Sequence, residues 1–323
     1  MKNILITGIT GQDGIFLTNL ILNKSKNTKV IGTSRFSGNE SYIKKLKYLK
    51  TKNLDNLLVI KTNLNDTYST DSLISSFRPN KIFNLSGPSS VYDSLKDSNN
   101  KTQIINIFNN LVESVLKHSP NSKFFQASSS EMFGSLNDPF LDEQSNFNPN
   151  SPYAEAKLAN HEKVMELSKN GLKFYSGIMF NHESEFRSPN YLIMKIINSA
   201  YSIKKKEKEK LVLGSLDYIR DWTYAKDSVI AMDLIMERGL SSNYVIGSGV
   251  GHSIKDVVSY VFKKFDLNWE NHIVINTELL RKGDPKKVIA NSDKLKNEFN
   301  WVTNYNLYEL LDICIFYFLT SRN

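Results

Sequence analysis

Tyr153 and Lys157 stand four residues apart in "SPYAEAKLANHE", the spacing that places two side chains one helical turn apart on the same face. A phenol has an unperturbed pKa of roughly 10. A neighbouring ammonium, helped by a nicotinamide cation, would lower it toward use as a general base. The same spacing occurs on exposed helices that do no chemistry, so its surroundings decide. Upstream, "FFQASSSEMFG" at residues 124–134 sets three serines and a carboxylate between an apolar run and a turn. Ser128 and Glu131 have the Ser-x-x-Glu spacing of a helix capping box, yet the same carboxyl could serve as an acid or a base. Near the start, Gly8, Gly11 and Gly14 form G-x-x-G-x-x-G after one apolar run and at the head of the next. Glycines there let a backbone turn tightly and approach a pyrophosphate, which a helix N-terminus then stabilises; the alternative is a plain strand-to-helix turn. The following strand end, "GTSR", has no Asp or Glu for a ribose 2′-hydroxyl. It offers Arg35 with Ser34 and Ser37, a set suited to a 2′-phosphate, so the expected cofactor is NADP in preference to NAD.

These groups need elements to hold them. "KNILITG" reads as a buried strand, "GIFLTNLILNK" as a helix, "KVIGTSR" and "NLLVIKTNL" as strands and "STDSLISSF" as a helix. After them "KIFNLSG" is a strand, "IINIFNNLVESVLKH" a helix and "SKFFQASSS" a strand. Such alternation predicts an α/β fold of the Rossmann type, a doubly wound parallel sheet with helices on both faces. Ligands on such sheets bind beyond the carboxyl ends of the strands, where "TGITG", "NLSGPSS" and "QASSS" lie. In the second half "LKFYSGIMFN" and "NYVIGSG" read as strands, "YLIMKIINSAYSI" and "DSVIAMDLIME" as helices. "SIKDVVSYVFKKF", "HIVIN" and "NLYELLDICIFYFL" suggest a smaller mixed α/β substrate lobe. The expected division is a nucleotide domain of residues 1–178 plus about 219–247, and a lobe of 179–218 and 248–323. No Pro-rich linker separates them, so the two are expected to interweave.

The 323 residues, 40% apolar and 23% charged, suit a folded globular chain, and "LDICIFYFLT" falls short of the roughly 20 residues that span a bilayer. A cytoplasmic enzyme without a membrane partner is expected. The single cysteine, Cys314, excludes an intramolecular disulfide and reads as a buried thiol. A net charge of +8 could suggest nucleic acid, but the densest run, "KKKEKEK", interleaves Lys with Glu as a solvated segment does. The basic excess favours a small anionic ligand and no duplex. Five scattered histidines lack ligand spacing, so no metal is expected, and Asp93, Asp97 and Asp227 read as surface or capping carboxylates.

Taken together, "ILITGITGQDG", "QASSSEMFG", "SPYAEAKL", "FNHES", "RDWTYAKD" and the Asn300-Trp301 pair resemble the extended short-chain dehydrogenase/reductases over nearly the whole chain. Within that group the chain is most similar to the GDP-mannose 4,6-dehydratases. "GITGQDG" and "FNHES" are specific to that branch; Tyr-x-x-x-Lys is common to the superfamily. The resemblance implies that Tyr153, with Lys157 and Ser129, removes the sugar C4 hydroxyl proton while hydride leaves C4. It implies that Glu131 takes the C5 proton and that water departs from C6, giving a 4-keto-6-deoxy sugar nucleotide. Glu131 is the discriminating position, since epimerases and reductases commonly lack a carboxylate there. Ser130 stands where dTDP-glucose dehydratases carry Asp. For the cofactor the resemblance points to Gly8, Gly11, Gln12, Asp13 and Gly14 in the first turn and to Arg35, Asn63, Leu64 and Leu85 at later strand ends. Tyr153, Lys157, His182 and Arg187 complete that set. For the sugar nucleotide it points to Ser89, Ser130, Asn181 and Lys195, to Arg220 at the pyrophosphate, and to Arg281 and Asp284. The implied substrate is a GDP-sugar, with GDP-mannose, a GDP-heptose or a GDP-N-acetylhexosamine as candidates, and the implied assembly is a homodimer or homotetramer.

The chain departs from that pattern in places. Thr62-Asn63-Leu64 replaces Gly-Asp-Leu after the third strand, and "HESEFRS" drops one arginine of "HESPRRG" while keeping Arg187. The loop after Arg35 and the stretch from "FKKF" to "RKGDP" are short. The same residues leave two other readings: an NADP-dependent reductase or epimerase of this fold, and a non-catalytic NADP-binding scaffold. The joint presence of Ser129, Glu131, Tyr153 and Lys157 argues against the last.

Overall fold

Strands that are apolar on both faces require cover on both faces, and this chain supplies it. In β1 (Lys2–Thr7) Ile4 and Ile6 join one core while Leu5 joins the opposite one. The pairs Val30/Ile31, Phe83/Ile82 and Phe125/Phe124 divide in the same way. The computed structural model describes residues 1–36, 38–97, 99–136, 138–240, 242–281 and 283–322. The remaining strands of the sheet are β2 (Thr28–Ser34), β3 (Leu57–Lys61), β4 (Lys81–Asn84), β5 (Lys123–Ser129), β6 (Phe174–Met179) and β7 (Asn243–Ile246). Their order is β3-β2-β1-β4-β5-β6-β7, parallel throughout. The expected doubly wound Rossmann sheet is therefore present. Its strand order reverses between β1 and β4, and that crevice is where such sheets take ligands.

Helix α1 (Gln12–Lys24) and the helix Ala225–Arg238 cover one face. Helices Thr67–Phe77, Asn99–His118 and α2 (Pro152–Lys169) cover the other. A second, five-stranded sheet forms the lobe. Ile219–Tyr224 pairs antiparallel with Gly251–Ser253 and parallel with both Asn181–Glu183 and Lys287–Ala290, and the last of these pairs in turn with Phe140–Leu141. Leu211–Leu213 and Ile273–Ile275 make a separate two-stranded ribbon.

Asp227 is neither a surface nor a capping group. It is fully buried and accepts from the Asn304 backbone and side chain at 2.8 and 2.7 Å and from the Tyr305 backbone at 3.2 Å, pinning the segment before the C-terminal helix to the helix Ala225–Arg238. Asp97 does accept locally from Asn99, and Asp93 is exposed. Cys314 is buried in the C-terminal helix Leu307–Thr320. No helix among the described residues is long and apolar enough to cross a membrane.

Candidate active site

The site begins at the turn after β1. Gly8 holds φ at +65°, and a Cβ there would lie 2.9 Å from the Leu85 carbonyl oxygen, so only glycine lets the loops after β1 and β4 touch at the crevice. Gly14 lies in the first turn of α1, where a Cβ would come within 2.3 Å of the Ile9 carbonyl oxygen. Helix α1 starts at Gly11 without a side-chain cap, so its first N–H groups have no acceptor within the helix and form an anion-binding end. Gly14→Ala should therefore push the turn away from α1 at a cost of about 1–3 kcal/mol. The expected reading is a loss of about ten- to hundredfold in dinucleotide affinity by fluorescence titration; unchanged affinity would remove the cradle reading.

Behind this turn lies a buried charged cluster. The Gln12 amide donates to the His182 carbonyl at 2.9 Å and accepts from the Ser184 hydroxyl at 2.9 Å, binding α1 to the "FNHES" segment. His182 has Nε2 3.0 Å from Asp13 Oδ2 and Nδ1 2.7 Å from the Phe180 carbonyl oxygen. Two acceptors call for two N–H groups, hence an imidazolium. Burial opposes that charge, but Asp13 outweighs it and the His182 pKa is raised. Burial likewise works to raise the Asp13 carboxyl, yet His182, Arg187 and Lys157 hold it below the usual carboxylate range. Glu183 is pushed up by burial despite Arg187, whose Nε is 3.5 Å from its Oε2. Asp13 Oδ1, Glu183 Oε2 and Arg187 Nε are buried without a hydrogen-bond partner among the described residues. Glu183 Oε2 and Arg187 Nε face each other as an ion pair, which leaves Asp13 Oδ1 as the orphaned atom; such an atom is costly, and beside a glycine turn it fits a polar group of a dinucleotide.

The other residues expected to meet the cofactor follow β2, β3 and β4. Arg35 follows β2, exposed, with its guanidinium 5.8 Å from the Phe36 ring centroid. Ser34 beneath it is buried and accepts from the Phe36 backbone at 3.2 Å; Ser37 lies outside the described residues. Asn63 after β3 is exposed and accepts from the Asn65 backbone at 3.2 Å, while Leu64 is buried. The Leu85 backbone donates to the Thr7 hydroxyl at 3.1 Å.

β5 and α2 carry the candidate proton-transfer groups. Helix α2 starts on Ser151, whose hydroxyl accepts from the Ala154 backbone at 3.2 Å, with Pro152 in its first turn. This start fixes Tyr153 and Lys157 one turn apart and turned toward β5. The Lys157 ammonium donates to the Ala127 carbonyl at 2.8 Å, and Ser129, the last residue of β5, stands near enough to the Tyr153 hydroxyl to lower its pKa. Of the two readings of Ser128 and Glu131, the structure does not show the capping box. Ser128 faces the opposite side of β5 and accepts from Ser176, which contacts His161 at 2.7 Å; burial pulls that imidazole down to about 4, so it is neutral. The cap is Ser129, whose hydroxyl accepts from the Glu131 backbone at 3.3 Å and starts the short 3-10 turn Ser130–Phe133. The reason is the two-residue period of the strand: Ser128 and Ser129 must point to opposite faces.

The phenol also differs from the expectation. Burial pushes Tyr153 up to about 12, against the lowering effect of Ser129. Burial pulls Lys157 down to about 8, with Asp13 restoring part of its charge. The ammonium lies 5.6 Å from the ring centroid and is held by Ala127, so Arg187 is the cation whose charge lowers the phenol.

Glu131 meets its partner from a distant part of the chain. Arg281 grips it with two bonds, Nη1 to Oε2 at 3.2 Å and Nη2 to Oε1 at 3.3 Å. Asp284 Oδ1 then joins Arg281 at 2.8 Å to Arg220 at 2.9 Å. Ser130, Glu131, Asn181, Arg220 and Asp284 line one small void together with Gly134 and Asn150. Ser89 is exposed at the loop after β4, its hydroxyl 2.8 Å from that of Tyr191, and the Arg187 guanidinium stacks 3.5 Å over the Tyr191 ring. Tyr191 was missed in the sequence; an aromatic residue shortly after the "HESEFRS" arginine was the only signal for it. Lys195 stands apart from this group, its ammonium 3.5 Å from the Val212 carbonyl oxygen.

A glycine cradle, a serine–tyrosine–lysine set and a carboxylate at the end of β5 therefore share one crevice. GDP-mannose 4,6 dehydratase 2 of Arabidopsis thaliana is 31% identical over 322 residues, covering 97% of this chain and 86% of its own. The Homo sapiens GDP-mannose 4,6 dehydratase is 29% identical over 336 residues, covering 95% and 88%. The Bacillus anthracis dTDP-glucose 4,6-dehydratase in complex with NAD superposes with a TM-score of 0.85 at 22% identity, covering 99% of this chain and 97% of that one. The Thermotoga maritima UDP-glucose 4-epimerase with UDP-glucose gives 0.85 at 22%, covering 99% and 100%. At such identities these two structures speak for the fold alone. The family model for GDP-mannose 4,6 dehydratase matches residues 5–314, and the chain belongs to that family.

Proposed function

We propose that this chain is a GDP-sugar 4,6-dehydratase that uses NADP, working in the cytoplasm as a homodimer or homotetramer. The observation that carries the reading is Glu131, a carboxylate placed by the turn after β5 close enough for its charge to act on the Tyr153 phenol. An epimerase or a reductase needs the tyrosine but has no C5 proton to remove. A bound dinucleotide would supply the hydride chemistry, with C4 of the sugar as donor and C6 as acceptor. Gly8, Gly11, Gly14 and the α1 N-terminus would hold its pyrophosphate, and Asp13, His182 and Arg187 its polar groups nearer Tyr153.

The rest of the reaction falls to side chains of this chain. Tyr153, as the phenolate that Ser129 and the Arg187 charge favour, takes the C4 hydroxyl proton as the ketone forms. The ketone acidifies C5, Glu131 removes that proton, and the C6 hydroxyl leaves as water with a proton from Glu131. The proton gathered by Tyr153 balances the one restored at C5, so the net change is loss of one water. Arg220 and Arg281 are the cations suited to the diphosphate.

The test is incubation with GDP-, UDP-, CDP- and dTDP-sugars without added reductant, followed by mass spectrometry. Loss of water from a GDP-sugar is the expected result. A gain of two hydrogens that requires NADPH, or altered stereochemistry at constant mass, would overturn the reading in favour of a reductase or an epimerase. NADP preference follows from Arg35 and from the lack of a carboxylate at the end of β2. Arg35→Ala should remove that preference in paired NADP and NAD titrations, and tighter binding of NAD by the unaltered protein would refute it.

A further inference from the structure

We propose that Glu131 and the substrate's diphosphate compete for one guanidinium, Arg281, so that arrival of the diphosphate is what releases the base. This rests on the dehydratase reading of Glu131. Both Nη atoms of Arg281 engage the Glu131 carboxylate, at 3.2 and 3.3 Å, in the forked geometry by which arginine also binds phosphate. Nη2 makes a second contact with Asp284 at 2.8 Å. Arg220 cannot stand in for it freely, because Nη2 is on Asp284 at 2.9 Å and Nη1 is on the Ile219 and Lys286 carbonyl oxygens at 2.9 and 3.4 Å. The forked edge of Arg281 is thus filled, and a planar group cannot offer one edge to two anions at once.

The available space agrees. The void between Glu131 and Arg220 is about 10 Å³, room for a single water and far too little for a hexose ring. Neighbouring backbone is anchored, since the Gly283 carbonyl accepts from the Asn150 amide at 2.7 Å and from the Ser135 hydroxyl. The Arg281 side chain retains 26% exposure, so the exchange needs only side-chain rotation toward a diphosphate. Asp284 is then a positioning residue that keeps the two arginines together as a receptor for two phosphates. A sugar without a diphosphate would leave Glu131 engaged, so the site selects the linkage as well as the sugar.

A double-mutant cycle tests this. GDP, and separately inorganic diphosphate, is titrated calorimetrically into the NADP-loaded protein, Glu131→Gln, Arg281→Met and the double variant, with melting curves to check folding. Arg281→Gln replaces the Met variant if that one does not fold. Glu131→Gln should bind both ligands about tenfold tighter and Arg281→Met about tenfold weaker, the size of one charge-assisted contact. The double variant should match Arg281→Met. Equal tightening by Glu131→Gln in both backgrounds would mean simple repulsion between carboxylate and diphosphate and would overturn the proposal, as would no tightening at all. A wild-type protein that binds diphosphate but not GDP refutes the GDP-sugar reading, while the diphosphate cycle still decides the competition.

Discussion

Glu131→Gln should stop water loss from the GDP-sugar, lowering turnover by about 10²–10⁴, the usual contribution of a positioned acid/base group. The amide keeps the shape of the carboxyl and, through its oxygen, a contact to Arg281, so the short turn after β5 should survive. What disappears is a group able to accept the C5 proton. In heavy water the wild-type product should carry solvent deuterium at C5, whereas the variant should leave the C5 hydrogen of its substrate in place. If the variant keeps more than a tenth of the wild-type rate, Glu131 serves only the turn that Ser129 caps and the dehydratase assignment loses its main support.

Lys157→Met should lower activity by about 10²–10³ and yet make the protein more stable at pH 7. The ammonium is buried, with a pKa near 8 in place of its ordinary 10.5, so holding its charge in the folded chain costs at most about 3 kcal/mol. Loss of the bond to Ala127 gives back about 1 kcal/mol of that, leaving a net gain and a melting temperature a few degrees higher. The direction with pH follows from the depressed value. Below pH 8 the folded wild type bears the full penalty. Between about 8 and 10.5 it sheds a proton that the unfolded chain retains, so its stability rises with pH and the advantage of the variant closes. Melting curves at pH 7 and 9 check this. A variant equally stable at both, or as active as wild type, would mean that the ammonium is neither strained by burial nor used in proton transfer.

The groups legible in the sequence were those whose geometry is local. Gly8 to Gly14 and the Tyr153–Lys157 pair are defined by spacings shorter than two helical turns, and the strand–helix alternation that produced the parallel sheet is itself a short-range pattern. Glu131 could be found for the same reason. Its partner could not, because Arg281 is 150 residues away and reaches it only through the pairing of lobe strands. Asp227 was misread because a carboxylate in a helical first turn ordinarily faces solvent, and its acceptors' donors at Asn304 and Tyr305 belong to a distant loop. Ser128 stood as a candidate cap because the capping-box spacing assumes a helix already begun, whereas the chain is still extended there and its alternation hands the role to Ser129. The Tyr153 phenol was expected to feel the ammonium most strongly; burial proved the larger effect, a quantity that spacing does not report.

The lobe sheet has a temporal consequence. Among the described residues Phe140–Leu141 pairs only with Lys287–Ala290, so that short strand must wait for a partner made almost 150 residues later. Arg281 precedes the same late strand. During synthesis the nucleotide half can therefore acquire its sheet and helices while the segment bearing Glu131 is still unbraced, and the site closes only as the final strand leaves the ribosome. A nascent chain arrested before that point would hold a nearly complete Rossmann sheet with no working centre.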